Sequence, residues 1–169
     1  AEIEHLCDVA VTSDHNAWLA FHNTVVKVNP DGGFLAYAEG APSNSYNCHY
    51  LAVDSADRLY VSDIETHLIN VYDASGAYLQ TIGGSGSGEI QFNTPMNMAV
   101  RDGLLYVAEQ NNNRIQILDI HDLGNITFVA FLDEYVANAT SRSLLSPSGV
   151  AVDATRIFVA DTGNHRVEV

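Results

Sequence analysis

The sequence predicts an all-β fold built from about four repeated units, and three observations lead to this prediction. A short apolar motif that closes on a valine recurs along the chain, and its copies stand 42, 47 and 52 residues apart. Two further short apolar runs follow each copy, separated by turn residues such as Gly, Asp and Asn. The closing valines are Val11, Val53, Val100 and Val152. A period in the forties made of several short strands is typical of propeller blades, so we predict a β-propeller.

The second unit shows the predicted blade most fully. Its inner strand is expected at 50–53, followed by strands at 59–62, 68–72 and 78–82. The turn 73–76 contains an Asp and a Gly, which supply local side-chain bonding and a positive φ. The other units follow the same plan, and we place the blades of one domain roughly at 1–43, 44–88, 89–140 and 141–169. The third unit has a longer excursion at 133–145.

The register of the repeats predicts that the ring of blades is incomplete. Residues 1–6 align with 90–95, so the chain opens on a linker, and it stops at Val169 before an outer strand of the last blade. Three arrangements remain open: a closed four-bladed ring completed by residues 1–6, a piece of a longer propeller, or two copies that join. We favour an incomplete or partner-completed ring, because an uncovered strand edge invites pairing.

Charge excludes some classes of partner. The chain has 21 acidic and 7 basic residues, a net charge of −14, and a single lysine, Lys27. Nucleic-acid binding draws its affinity from Lys and Arg, so nucleic acid is a disfavoured partner. No apolar run approaches the roughly 20 residues that span a bilayer, so we expect no membrane segment. Two glycosylation sequons, at Asn125 and Asn138, lead us to favour a secreted location over a cytoplasmic one.

Several segments resemble the NHL-repeat family, which is named after an Asn-His-Leu stretch between the second and third strands. Residues 160–169 carry Asn164-His165-Arg166 at that place, and 108–118 and 62–72 are weaker copies. The glycine-rich segment 83–95 is similar to the family's linker between blades. The resemblance implies a propeller, usually of six blades, that serves mainly as a recognition scaffold.

The starts of the inner strands line the channel of a propeller, and they give our candidate ligand-binding residues. The alignment places Cys7, His49, Met96 and Ser148 at one level, and Asp8, Tyr50, Asn97 and Gly149 at the next. Cys7, Asp8 and His49 are ligand types suited to zinc or copper. A lyase branch of the NHL family holds zinc with histidines near its channel. We nonetheless predict no cofactor, with zinc, copper or calcium as the alternative, because these histidines do not repeat at one level.

The cysteines and the repeat-loop residues have structural interpretations. Cys7 and Cys48 are either buried thiols or a disulfide, and the sequence leaves this open. The repeat-loop residues are Asp63, His67, Glu109, Asp161, Asn164 and His165. We expect the acidic residues to accept backbone N–H bonds in the turn that follows, and the histidines to bond a neighbouring blade.

The sequence contains no nucleophile motif and no phosphate-binding loop. We therefore predict a non-catalytic scaffold that binds a protein, peptide or small ligand through its top-face loops and channel mouth. A homo-oligomer that completes the propeller is a further expectation. The alternative is a metal-dependent lyase or hydrolase at the channel mouth. An RNA-binding module is the third hypothesis, and the charge disfavours it.

Overall fold

The strands of the computed structural model form sheets in chain order, and the structure describes residues 5–22, 24–41, 50–137 and 140–169, without the side chains of 135–141. Each strand in a blade pairs antiparallel with the next. Blade 1 contains β1 (Asp8–Val11), β2 (Ala17–Ala20), β3 (Val25–Val28) and β4 (Phe34–Tyr37). Blade 2 contains β5 (Tyr50–Val53), β6 (Leu59–Asp63), β7 (Leu68–Tyr72) and β8 (Tyr78–Gly83).

The second half of the chain repeats this plan and adds a hairpin. Blade 3 contains β9 (Pro95–Arg101), β10 (Leu104–Glu109), β11 (Arg114–Asp119) and β12 (Thr127–Leu132). The hairpin pairs β13 (Glu134–Ala137) with β14 (Thr140–Ser143), so the excursion predicted at 133–145 has a strand pair of its own. Blade 4 contains β15 (Gly149–Val152), β16 (Ile157–Asp161) and β17 (Arg166–Glu168).

The four sheets are arranged as four blades of a β-propeller, which confirms the predicted fold class. In the described residues, blade 4 has three strands where the other blades have four, as the register predicted. No helix in this part of the chain has the length and apolar character needed to cross a membrane.

Local side-chain bonds shape the turns between the third and fourth strands. Asp73 accepts hydrogen bonds from the N–H groups of Ser75 and Ala77, at 2.8 and 3.1 Å. Hydrogen bonds from Ser75 and from the turn backbone lower the pKa of Asp73 below its ordinary value. In blade 1, Asn29 accepts from the N–H of Gly33 at 2.6 Å in the same way. An Asx residue at this position folds the chain back, so each turn is encoded locally.

The apolar core lies between the blades. Trp18, Ala20 and Val25 of blade 1 pack with Leu51 and Leu59 of blade 2. A second cluster joins blades 2 and 3, and a third joins blades 3 and 4. The sheets of blades 2 and 3 therefore each bury one face against the blade before and the other against the blade after.

Among the described residues, one face of blade 1 and one face of blade 4 have no neighbouring blade. The inner strands β1, β5, β9 and β15 pack consecutively along the chain. Between β1 and β15 the described residues make no comparable contact. Val9 and Val11 of blade 1 are 51% and 66% exposed as a result.

Candidate functional site

Two of the predicted channel-mouth residues tie neighbouring inner strands together. Asp8 Oδ2 accepts a hydrogen bond of 2.8 Å from the N–H of Leu51 in blade 2. Asn97 Oδ1 accepts one of 3.0 Å from the N–H of Val150 in blade 4. Both side chains come from the second residue level of the aligned inner strands, so the repeat produces the same bridge twice.

Between blades 2 and 3 the bridge uses a hydroxyl group instead. Ser62 Oγ accepts from the N–H of Tyr50 at 3.3 Å and donates to the carbonyl of Met96 at 3.0 Å. Burial, and then the nearby Asp8 carboxylate, raise the pKa of Tyr50. Ser148 Oγ lies 2.5 Å from Thr162 Oγ1. The described channel-mouth side chains are thus largely engaged with other parts of the scaffold.

The structure changes the expectations for metal binding at this mouth. Cys7 is disulfide-bonded, which is one of the two alternatives that the sequence left open, and the bond leaves Cys7 no thiolate to offer a metal. Cys48 and His49 lie outside the described residues. Within the described ranges, no group of three or more His, Cys, Asp or Glu side chains is placed to hold a metal ion.

The acidic residue that ends the second strand is a buried hydrogen-bond acceptor. Glu109 is fully buried and accepts from Arg114 Nε at 2.7 Å and from Gln116 Nε2 at 2.9 Å. Arg114 also donates to three carbonyls of the glycine-rich linker, those of Ser87, Gly88 and Gln91. The carboxylate therefore positions an arginine that holds the linker between blades 2 and 3.

Asp161 and Asp63 occupy the same position in blades 4 and 2. Asp161 accepts from the N–H of Leu145 at 2.7 Å and from Asn164 Nδ2 at 2.8 Å, and it pairs with Arg166 at 2.7 Å. Asp63 accepts from the N–H groups of Glu65 and Thr66, each at 3.0 Å. Both carboxylates are fully buried, so they stabilise the turn and strand around them.

The residue directly before the third strand accepts a hydrogen bond from the following blade in two of the blades, and we call this contact the clasp. His67 Nδ1 accepts a hydrogen bond of 2.9 Å from the N–H of Thr94 in blade 3. Asn113 Oδ1 accepts one of 2.8 Å from the N–H of Ser146 at the entry to blade 4. His165 holds this position in blade 4, and all three residues have positive φ, between 53 and 60°.

Two adjoining cavities lie beside the β13–β14 hairpin, and the period of the repeats does not predict them. One, of about 490 Å³, is lined mainly by polar residues: Asn112, Asn113, Asp133, Glu134, Ser143 and Leu144. The other, of about 440 Å³, is mostly apolar: Leu132, Glu134, Leu144, Thr155, Arg156, Ile157, Val159, Glu168 and Val169. They share Glu134 and Leu144, and we call the two together the hairpin groove. Asn112 and Asn113 belong to the repeat loop of blade 3, so the polar cavity is formed in part by a top-face loop.

Similarity to known proteins supports the repeat assignment. A model of the NHL repeat matches residues 144–169. NHL repeat-containing protein 2 of Gallus gallus is 36% identical in an alignment of 134 residues, and the match covers 67% of this chain and 18% of that protein. The chain belongs to the NHL-repeat family. It spans less than a fifth of the length of this curated relative.

Solved structures share the fold of this NHL-repeat chain. A protein of unknown function from Bacteroides thetaiotaomicron matches with a TM-score of 0.74 and 17% identity, over 97% of this chain and 46% of its own. A streptogramin B lyase matches with a TM-score of 0.69 and 12% identity, over 99% and 51%. Virginiamycin B lyase from Staphylococcus aureus matches with a TM-score of 0.60 and 17% identity, over 90% and 47%. At these identities the likeness concerns the fold alone.

Proposed function

We propose that this chain is a non-catalytic recognition module that binds an extended peptide segment of a protein partner in the hairpin groove. The NHL β-propeller fold in general supports a role as a protein-interaction scaffold, and the proposed peptide binding agrees with that role. The observation that carries the proposal is the junction of the polar and apolar cavities at Glu134 and Leu144. Each cavity has a volume in the range typical of ligand sites, roughly 300–1,000 Å³.

The apolar half of the groove supports binding of hydrophobic side chains. Leu132, Leu144, Ile157 and Val159 line it. Beside it lies β17, the third strand of blade 4, which has no fourth strand among the described residues. An extended peptide can add to such an edge through main-chain hydrogen bonds while its alternate side chains enter the groove.

The polar half supports a cationic group in the ligand. Asp133 and Glu134 are exposed at its rim, and the chain as a whole carries a charge of −14. A negative surface raises the association rate of cationic ligands and makes that rate sensitive to salt. The ligand we propose therefore combines apolar residues with at least one Lys or Arg.

Selection of peptides from a random twelve-residue display library tests this proposal, with affinities measured by calorimetry. We expect the selected sequences to combine apolar and basic residues and to bind at least tenfold more weakly to Glu134→Lys. Glu89→Lys is the matched control, because Glu89 is exposed in the linker of blade 3 and the groove is formed without it. Selected peptides that ignore Glu134→Lys but lose affinity on Tyr50→Ala would move the site to the channel mouth and overturn the proposal.

Metal analysis of protein purified without chelators distinguishes the enzyme hypothesis from the proposed recognition module. Stoichiometric zinc, copper or calcium would favour a metal-dependent lyase or hydrolase. No feature of the described residues favours RNA binding, and a mobility shift of mixed RNA at low salt would reverse that ranking.

A further inference from the structure

The clasp between blades 3 and 4 fixes the orientation of a side-chain amide in the repeat loop of blade 3. Asn113 accepts the clasp hydrogen bond of 2.8 Å from the N–H of Ser146. A backbone N–H only donates, so the Asn113 atom that meets it is Oδ1, and the Nδ2 group is the other branch of the amide. Within the described residues, this Nδ2 group has no hydrogen-bond partner.

The preceding residue, Asn112, is held in the opposite sense. Its Nδ2 group donates to the carbonyl of Gly86 at 2.9 Å and to the Glu109 carboxylate. Both partners are acceptors, so the Asn112 amide has its nitrogen committed to the scaffold and its Oδ1 left as an acceptor. In the same part of the chain, Asn112 Oδ1 has no partner. The two adjacent residues therefore offer one donor and one acceptor, each oriented by the fold.

Both amides line the polar cavity of the hairpin groove. The carboxylates of Asp133 and Glu134, in the same lining, accept hydrogen bonds and donate none. Among the six described residues that line this cavity, the uncommitted side-chain donors are therefore Asn113 Nδ2 and the Ser143 hydroxyl. A ligand carbonyl that enters the cavity needs such a donor, because an unpaired polar group is costly to bury.

We propose that these two amides bind the main chain of the peptide ligand at one of its residues. Asn113 Nδ2 donates to the carbonyl oxygen of that residue, and Asn112 Oδ1 accepts from its N–H. These two groups of one residue point to the same side of an extended chain, as they do when strands pair in an antiparallel sheet. The inference rests on the proposed peptide binding and specifies it further. The ligand is recognised at this position through its backbone, so different side chains are tolerated there and proline, which has no N–H, is not.

The substitution Asn113→Asp separates the two contacts of this side chain. The carboxylate keeps an oxygen acceptor for the Ser146 N–H, and Asp tolerates the left-handed backbone at φ of 53° as Asn does. It replaces the proposed donor by a second acceptor. Calorimetry with the tightest-binding peptide from the twelve-residue library should show an affinity about tenfold lower. The added negative charge alone would favour a basic peptide, so the direction of the change distinguishes a lost donor from a charge effect.

Asn111→Asp is the matched control. It makes the same change of charge in the same loop, on an exposed residue that does not line the polar cavity. The contact of Asn111 with Thr94 Oγ1 can persist, because the hydroxyl group can donate to the new carboxylate. This variant should bind the peptide as tightly as the unmodified protein or more tightly. Urea unfolding of both variants checks that the clasp and the loop remain intact.

Changes in the peptide test the same contact without altering the protein. N-methylation of successive residues should find a position at which loss of the N–H lowers the affinity about tenfold. An ester in place of the amide bond that follows this residue weakens its carbonyl as an acceptor. Asn113→Asp should then cost less affinity with the ester peptide than with the amide peptide, as expected for two groups in contact.

The outcomes separate this inference from the proposed function. Peptides that lose affinity on Glu134→Lys but bind Asn113→Asp and Asn111→Asp equally well would overturn the inference and leave the proposed peptide binding in place. A peptide with no position sensitive to N-methylation, or equal costs of Asn113→Asp for the ester and amide peptides, would do the same. Peptides that ignore Glu134→Lys would overturn both.

Discussion

At the scale of single residues, buried carboxylates support this propeller more than its surface ion pairs do. Glu109 and Asp161 are fully buried, and each accepts hydrogen bonds from an arginine and from other groups around it. By contrast, the pair of Arg156 with Asp153 lies at the surface. A buried charge that loses its partner is costly, whereas an exposed pair contributes little. Removing the arginine should therefore lower the free energy of unfolding much more in a buried pair than in an exposed one.

Arg114→Ala is therefore expected to lower the free energy of unfolding by about 3–5 kcal/mol, because it leaves the buried Glu109 carboxylate without its cation. The substitution also removes the guanidinium stacked 3.7 Å from the Phe131 ring. Arg156→Ala, the exposed control, should cost about 0–1 kcal/mol. Urea unfolding followed by circular dichroism measures both. Equal losses in the two variants would contradict the account.

At the scale of elements, the turns and the position of the excursion at 133–145 were predictable, but the strand pair inside that excursion was not. The Asp73 carboxylate accepts hydrogen bonds from backbone N–H groups of its own turn, and Gly76 supplies a positive φ, so the sequence alone predicted the hairpin of β7 and β8. Residues 133–145 have no counterpart in the other repeats, and their hairpin could not be inferred from the period. The groove beside it depends on contacts between Leu132 and residues of blade 4, which no local pattern reveals.

Substitution of equivalent glycines in two turns distinguishes the cost of local backbone strain from the cost of a clash between blades. A Cβ on Gly76 would lie 2.2 Å from the Tyr37 carbonyl oxygen and 3.0 Å from the Trp18 ring. One on Gly32 would meet no atom within 4 Å, and both residues have positive φ, 94 and 80°. Gly32→Ala should thus cost about 1–2 kcal/mol from backbone strain. Gly76→Ala should cost about 1–3 kcal/mol more, because blade 1 must shift.

Thermal and urea unfolding of the two glycine variants measure this difference. Comparable losses for Gly32→Ala and Gly76→Ala would mean that the contact between the turn of blade 2 and the outer strand of blade 1 adds no stability.

At the scale of the whole molecule, repetition explains why the fold was predictable and the site was not. The strand period and the turn residues specify a blade, and both recur several times in this one sequence. The clasp at His67 was predicted as a bond to a neighbouring blade, but its partner, the Thr94 N–H, follows only from the packed register of blades 2 and 3. Two cysteines cannot indicate their own oxidation state, so the disulfide at Cys7 also required the structure.

Charge is the other property of the whole molecule, and it predicts a response to salt. Most of the few cationic side chains are paired locally, as Arg58 is with Asp54 and Lys27 with Asp14, so many of the 21 acidic groups repel one another. Screening shortens from about 30 Å at 0.01 M salt to about 3 Å at 1 M. We therefore expect the unfolding temperature to rise with NaCl, by about 2–4 °C for each kcal/mol of repulsion relieved.

Differential scanning calorimetry over a range of NaCl concentrations measures this effect. Glu39→Gln combined with Glu89→Gln, at two exposed positions, should raise the unfolding temperature at low salt and reduce its dependence on NaCl. An unfolding temperature that falls with NaCl would show that local ion pairs outweigh the net repulsion, because screening weakens attraction and repulsion alike.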